Sequence, residues 1–284
     1  MQLRYYSIVW LSIIFFAPSL AFGLALGESM QLESRLARQR ALHWLWEQVQ
    51  MAESDQASLQ ALAHLGVALA NEGHSVYDSE LKALKAHLSK QAEQVGCLAD
   101  LLQLLRFELR NGGEKMTVLL QIYTEKAFAQ GLQQESLTDQ QFCLEIHYLL
   151  MPEQVLLNEH ELIELQKRLF DAQGEFPAAA LLQLLLEYKD AKADARLLQL
   201  QIACAEKKYR SAAELYWGAR ALSACERKFP GQTVAWRSHF VAALLAGQQG
   251  DGALLLTGQK KTRAENMLET ALLLQVLQLA DMAK

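Results

Sequence analysis

Apolar residues recur at helical spacing along almost the whole chain from Met30 onward. Leu42, Leu45, Trp46 and Val49, for example, lie three or four positions apart and therefore share one face of a helix. Strands would instead show sustained period-two alternation and more turn residues, yet the 284 residues include only 4 prolines and 15 glycines. The sequence therefore predicts an all-α protein without a β-sheet.

The predicted helices are separated by short breaks rich in Gly, Asn, Ser and Asp. The first runs from near Met30 to a break at 53–55, and the second runs from Leu59 to a stop at Asn71-Glu72-Gly73. The later helices are expected over residues 77–95, 97–111, 115–130, 137–151, 158–173, 177–189, 194–206, 209–228, 232–248 and 264–282. Because helices of about 13 to 20 residues joined by short loops pack as antiparallel neighbours, we expect stacked hairpins in a solenoid or a closed ring.

Residues 1–25 have the composition of a secretory signal. Arg4 is the one charged residue, Tyr5 to Phe16 is apolar apart from two serines, and Pro18 is followed by small residues at alternate positions. This pattern predicts export with cleavage of the segment. An uncleaved membrane anchor over residues 5–26 is the alternative, since that stretch carries no charge. In both cases we expect a periplasmic or secreted body, and the short single-charge start favours a bacterial periplasm.

The charge distribution excludes one class of partner. The formal net charge is −5, and the basic residues are scattered along the chain. Nucleic-acid binding depends on clustered Lys and Arg, so we expect no nucleic-acid partner.

The four cysteines are Cys97, Cys143, Cys204 and Cys225, and an even count permits two disulfides in an oxidising compartment. In an antiparallel hairpin Cys204 would face the start of the next helix, which leaves Cys225 on the order of 20 Å further along the axis. A disulfide needs Cα atoms within about 7 Å. We therefore interpret the cysteines as small core residues.

One internal period can be counted in the second half of the chain. An aromatic, an alanine and a leucine each recur after 33 residues, in the pairs Phe176 and Tyr209, Ala179 and Ala212, and Leu182 and Leu215. This approaches the 34-residue tetratricopeptide period. A small residue lets two helices approach closely, and an aromatic at the start of the second helix fills the space beside the turn.

Residues 160–230 resemble tetratricopeptide repeats. Gly174-Glu175-Phe176 is similar to the turn between the two helices of a repeat, and Ala179 and Ala212 match the small position of its second helix. Tyr216 fits the large position that follows, whereas Gln183 departs from it. The resemblance implies a tetratricopeptide-like α-solenoid with three parts: the signal or anchor at 1–25, a hairpin region at 26–155 and the repeat region at 156–284.

Two short segments resemble a different helical family, the α/α toroids such as terpene cyclases. Trp44-Leu45-Trp46-Glu47-Gln48 looks like the motif of an outer helix. Gln249-Gly250-Asp251-Gly252, followed by Glu269-Thr270-Ala271, looks like the turn and inner helix of that family. This resemblance implies an α/α toroid as the alternative fold.

Residues able to support chemistry are sparse. Cys143 and His147 lie four positions apart with Glu145 between them, so both side chains could reach one metal ion or form a nucleophilic pair. The sequence offers no further ligand nearby and no Gly-bearing turn to expose the sulfur. The chain also has no Gly-x-Ser-x-Gly elbow, phosphate-binding loop or His-Glu-x-x-His. We therefore assign no catalytic residue, cofactor or metal site.

Two functions follow from the two folds. A solenoid implies a non-enzymatic scaffold that binds a protein or peptide partner of the cell envelope along its concave face. The tetratricopeptide register then directs Glu164, Arg168, Asp171 and Gln201 toward the partner, with Arg237 on the next helix. A toroid implies a lyase-like or cyclase-like enzyme with its site at the centre of the ring. Contact between the first and last helices would favour the ring, and an open superhelix would favour the scaffold.

Overall fold

The computed structural model of this chain is helical throughout the part that it describes. That part comprises residues 26–51, 59–73, 75–91, 97–111, 136–150, 157–171, 178, 181–182, 195–230, 234–256 and 261–281. It contains ten α-helices: α1 (Glu28–Met51), α2 (Leu59–Glu72), α3 (Asp78–Gln91), α4 (Leu98–Asn111), α5 (Leu137–Leu150), α6 (Glu159–Asp171), α7 (Ala195–Glu206), α8 (Ala212–Lys228), α9 (Arg237–Ala246) and α10 (Arg263–Asp281). Within these ranges the only β-type pairing is one isolated bridge between Gln248 and Leu254. The all-α class is confirmed.

The helix boundaries follow the predicted ones closely, with two informative differences. α8 begins at Ala212 rather than 209, because the Ser211 side chain accepts a hydrogen bond from the Glu214 amide and caps the helix. α9 spans Arg237–Ala246 and is shorter than the predicted 232–248. The helix predicted at 115–130 and the segment 1–25 lie outside the described residues, as does most of 177–189. No described helix has both the length and the apolarity needed to cross a bilayer.

The C-terminal helix α10 lies at the centre of the packing. It contacts α1, α2, α8 and α9. Nearly every residue from Met267 to Gln278 is buried, as expected of a helix that is enclosed by neighbours on all sides. Its buried polar side chains are bonded to neighbouring segments: Thr270 Oγ1 accepts from the Leu254 amide at 3.2 Å, and Gln278 Nε2 donates to the Ala68 carbonyl at 2.8 Å. These bonds offset the cost of burying polar groups.

The two ends of the described chain pack against each other. α1 contacts both α9 and α10. Arg38 on α1 pairs with Asp281 at the end of α10 and with Glu72 at the end of α2, at 2.5 and 2.9 Å. Trp44 Nε1 donates to Asp251 Oδ2 at 3.1 Å, which joins the two segments that resemble the toroid family.

This contact bears on the choice between the two folds. In an open solenoid each repeat contacts only its neighbours in sequence. Contact between α1 and α10 is the feature that favours a ring, so the tetratricopeptide-like stacking is not confirmed and stays a prediction. What the structure shows is an all-α protein whose first and last described helices are joined.

A close approach of α2 and α4 at Gly66 leads to a stability prediction. A Cβ atom on Gly66 would lie well inside the van der Waals distance of the ring carbons of Phe107, which is fully buried on α4. Gly66→Ala should therefore lower the free energy of unfolding by about 1–3 kcal/mol, despite the better helix propensity of alanine. Urea denaturation followed by circular dichroism measures this change.

Gly250 provides the matched control for this substitution. A Cβ atom at Gly250 meets nothing within 4 Å, so Gly250→Ala should change the stability by less than about 0.5 kcal/mol. Equal stability of Gly66→Ala and wild type would show that α2 and α4 are not packed this closely.

Candidate anion-binding cavity

A cavity of about 450 Å³ opens among α2, α4, α8 and α10. Its lining combines four arginines with amide, phenol and aliphatic side chains, namely Val67, Asn71, Arg106, Leu109, Arg110, Tyr216, Arg220, Arg227, Gln275, Gln278 and Leu279. None of these described lining residues is acidic. α4 presents two of the arginines four residues apart, and α8 presents two of them seven residues apart, so each pair lies on one face of its helix.

Two of the arginines, the buried Arg106 and the half-buried Arg220, share one carboxylate. Arg220 Nη1 donates to both carboxylate oxygens of Glu145, at 3.0 and 2.9 Å. Arg106 Nη2 donates to the same carboxylate, and Arg106 Nη1 donates to Gln103 Oε1 at 3.3 Å. Burial and the neighbouring charge of Arg220 lower the pKa of Arg106 to about 9. The Arg106 guanidinium therefore remains charged at neutral pH although the positive charge of Arg220 lies beside it.

The indole ring of Trp217 contacts both guanidiniums. The guanidinium carbon of Arg220 lies 4.7 Å from the ring centroid of Trp217, and that of Arg106 lies 5.4 Å from the same ring. Arg220 is also 5.6 Å from the ring of Tyr216. Such cation–π contacts are stabilising. The two guanidiniums therefore have favourable contacts besides those to their shared carboxylate.

The other two arginines, Arg110 and Arg227, are exposed at the mouth of the cavity. Within the described part of the chain neither of them forms an ion pair. Leu109 beside them is 58% exposed and gives the mouth an apolar edge. Both guanidiniums can therefore bind a ligand without first breaking an ion pair within the described part of the protein.

Gln275, which lines the cavity, is bonded to the buried histidine His64 behind it. Gln275 Nε2 donates to His64 Nδ1 and to the His64 carbonyl, both at 2.9 Å. Burial, reinforced by the charges of Arg106 and Arg220, lowers the pKa of His64 to about 3, although the bond from Gln275 acts in the opposite direction. His64 is therefore neutral at physiological pH and adds no charge to the cavity.

The arrangement is suited to binding an anion. Four guanidiniums surround one space, and one carboxylate offsets a single charge among them, which leaves a formal excess of three positive charges. Guanidinium groups bind carboxylates and phosphates through paired, charge-assisted hydrogen bonds. The cavity volume lies within the range of ligand sites in proteins.

The partner-groove residues predicted from the sequence do not form one surface. Glu164, Arg168 and Asp171 are exposed on α6, where Arg168 pairs with Glu164 at 2.9 Å. Gln201 and Arg237 are only 1% and 5% exposed, so they do not face a partner in this structure. Gln201 accepts a bond from the Val234 amide, and Arg237 donates to carbonyls at the end of α10. Both polar groups are bound inside the protein because burial requires such partners.

The three residues Cys143, Glu145 and His147 lie in different surroundings on α5. Cys143 and His147 are buried, and burial raises the pKa of the Cys143 thiol to about 12. Glu145 is engaged by Arg106 and Arg220. Among the residues that the structure describes, no three His, Cys, Asp or Glu side chains are arranged to hold a metal ion.

The cysteine interpretation holds for three residues and is wrong for one. All four thiols are free, and Cys143, Cys204 and Cys225 are buried, whereas Cys97 is exposed. Burial raises the pKa of the Cys204 and Cys225 thiols to about 12.

Sequence reasoning missed the arginines of the cavity. Their spacing within each helix was visible, since positions 106 and 110 and positions 220 and 227 repeat at helical intervals. What the sequence lacked was the placement of α4 and α8 around one cavity, although residues 112–211 separate them in the chain. No protein-family model, curated protein or solved structure matches this chain.

Proposed function

We propose that this protein is an exported binding module that holds an acidic segment of a partner protein in the arginine-lined cavity. The observation that carries the proposal is the convergence of Arg106, Arg110, Arg220 and Arg227 on one cavity. The proposal keeps the non-enzymatic scaffold suggested by the sequence and moves its binding site from the face of α6 to the cavity. The signal-like composition of residues 1–25 supports placing that partner in the cell envelope.

The positive charge of the cavity contrasts with the rest of the protein. The chain as a whole has a formal charge of −5, so the local excess of arginine is not a consequence of a basic composition. A concave site lined by one sign of charge concentrates its field and attracts ligands of the opposite sign. An acidic partner would therefore approach this cavity in preference to the remaining surface.

The uncharged lining supports a peptide as the carrier of the acidic groups. Val67, Leu109 and Leu279 offer aliphatic contact, while the exposed Asn71 offers an amide group to a peptide backbone. A peptide needs both kinds of contact, because its backbone must keep hydrogen-bond partners when it leaves water. A bare inorganic anion would use only the guanidiniums.

Arg110→Gln and Arg227→Gln test this proposal without disturbing the core. We expect purified wild-type protein to bind a hexaglutamate peptide at low ionic strength and not a hexaglutamine peptide. Each substitution should weaken binding about two- to fivefold, since an exposed charge pair contributes roughly 0.5–1 kcal/mol. Isothermal titration calorimetry measures the dissociation constants, which should rise further with added salt.

The exposed Arg168 on α6 is the matched control. Arg168→Gln removes a charge from the predicted groove but not from the cavity, so the dissociation constant for hexaglutamate should stay at the wild-type value. Equal weakening by Arg168→Gln and Arg227→Gln would show that attraction is non-specific. Loss of affinity only with Arg168→Gln would return the site to α6.

An enzyme of the α/α-toroid type is the second candidate, and the contact between α1 and α10 favours it. The same cavity would then be the active site and its substrate would be anionic. Incubation of the protein with a bound acidic ligand distinguishes the two candidates, because an enzyme releases a new product that mass spectrometry detects, whereas a binding module returns the ligand unchanged.

A further inference from the structure

Glu145 occupies the place that a ligand carboxylate would take on the deep guanidiniums. Its carboxylate is nearly buried between α4, α5 and α8, and it accepts bonds from Arg106 on one side and Arg220 on the other. Gln141, one turn earlier on α5, donates to Glu145 Oε1 at 3.2 Å and holds it in place. One protein carboxylate thus satisfies two cations that both line the cavity.

The two guanidiniums do not depend on Glu145 alone for their position. Trp217 lies against both of them, and Gln103 accepts a bond from Arg106. Arg220 uses only Nη1 toward Glu145, and its other nitrogens have no hydrogen-bond partner among the described residues. The cations would therefore stay near the cavity if the carboxylate lost its charge.

We propose that Glu145 is a built-in counter-ion that competes with the ligand's acidic group for Arg106 and Arg220 and so sets the affinity of the cavity. This inference rests on the proposed function of the cavity. In the free protein Glu145 offsets one of the two positive charges of the buried Arg106 and the half-buried Arg220, as unpaired charges in such places are unfavourable. A ligand that reaches the deep arginines must share them with Glu145 or displace it, so affinity is held below what four guanidiniums would give.

The competition predicts an increase in affinity when Glu145 loses its charge. Glu145→Gln keeps the size of the side chain and one oxygen that accepts a hydrogen bond from a guanidinium. It removes the negative charge and so raises the formal excess of positive charge in the cavity by one. We expect the dissociation constant for hexaglutamate to fall about tenfold, because charge-assisted bonds from two guanidiniums become available to the ligand. Calorimetry on the purified variant, with circular dichroism to confirm folding, measures this change.

The sign of the change separates competition from simple positioning. If Glu145 only positioned the arginines, Glu145→Gln would bind hexaglutamate more weakly than wild type, and that result would overturn the inference. The control Glu164→Gln removes a carboxylate from an exposed ion pair on α6 and should leave the dissociation constant unchanged. Equal tightening in that control would attribute the effect to net charge and would also overturn the inference.

A second variant covers the case in which Glu145→Gln fails to fold. Gln141→Leu removes the amide that holds Glu145 and preserves the side-chain volume of a residue that is 1% exposed. We expect this variant to bind hexaglutamate severalfold more tightly than wild type does. Weaker or unchanged binding would contradict the inference.

The same measurements separate failure of this inference from failure of the proposed function. If neither wild type nor the variants bind hexaglutamate, the proposed function fails as well. If wild type binds through Arg227 but neither variant has a lower dissociation constant, only the role of Glu145 fails.

Discussion

Replacing Glu226 by alanine should lower the free energy of unfolding by about 3–5 kcal/mol, because it leaves the buried guanidinium of Arg237 without its counter-ion. Arg237 side-chain exposure is 6%, and its Nη2 donates to Glu226 Oε2. The same carboxylate accepts a bond at 2.9 Å from the indole nitrogen of Trp236, which is fully buried. The substitution therefore leaves Trp236 Nε1 and Arg237 Nη2 without the acceptor that both use. Urea denaturation at neutral pH measures the decrease in the free energy of unfolding.

Two further variants decide whether the buried pair is the cause. Glu206 is an exposed acid at the end of α7, and Glu206→Ala should change stability by less than about 0.5 kcal/mol. Combining Glu226→Leu with Arg237→Met should recover most of the loss, since an apolar pair of similar volume requires no desolvation of charge. A Glu226→Ala variant as stable as wild type would contradict the burial of Arg237 and would restore it as a surface residue of the predicted groove.

The burial of Arg237 shows what a sequence leaves undetermined. Arginine is rarely buried, and its position on the helix after the second repeat copy led to its prediction as a partner-facing residue. Its burial depends on the Leu279 and Ala280 carbonyls at the C-terminal end of α10, where a cation is also favourable to the helix dipole. Those groups lie more than forty residues away and belong to a helix whose neighbours the sequence did not indicate.

Local features could be predicted because they depend on residues that are close in sequence. The helix boundaries depend on apolar spacing and on caps such as Ser211, and these act within a few residues. The role of Tyr209 beside its turn was also accessible: its hydroxyl donates to the Cys204 carbonyl at 2.6 Å, and Gly218 leaves room for the ring. These contacts join residues within ten positions of one another, which is the range over which a sequence pattern is informative.

The cavity required long-range information. Its four helices come from residues 59–72, 98–111, 212–228 and 263–281, and their association depends on which buried faces fit together. An amphipathic face shows that a helix is buried but not against which partner. The arginines could therefore be counted from the sequence, but their convergence on one space could not.

Acidification should destabilise the protein through His64, beginning near pH 6.5. Burial lowers the pKa of His64 from its ordinary value of 6.5 to about 3 in the folded protein. Between these values the unfolded chain binds a proton that the folded protein excludes, so the stability contribution is complete above pH 6.5 and is lost as pH falls toward 3. The slope is about 1.4 kcal/mol per pH unit, or roughly 2 kcal/mol between pH 6.5 and 5.

The substitution His64→Asn isolates this contribution, because an asparagine oxygen can replace Nδ1 as acceptor for Gln275 without titrating. The difference in unfolding free energy between pH 7 and pH 5 should be about 2 kcal/mol smaller in His64→Asn than in wild type. Burial also lowers the pKa of His147, so a residual slope should remain in the variant. The exposed His43 serves as the control for the replacement of a histidine by asparagine. Parallel loss of stability in wild type and His64→Asn would mean that His64 is protonated as easily in the folded protein as in the unfolded chain, and the wall of the cavity would then carry a charge.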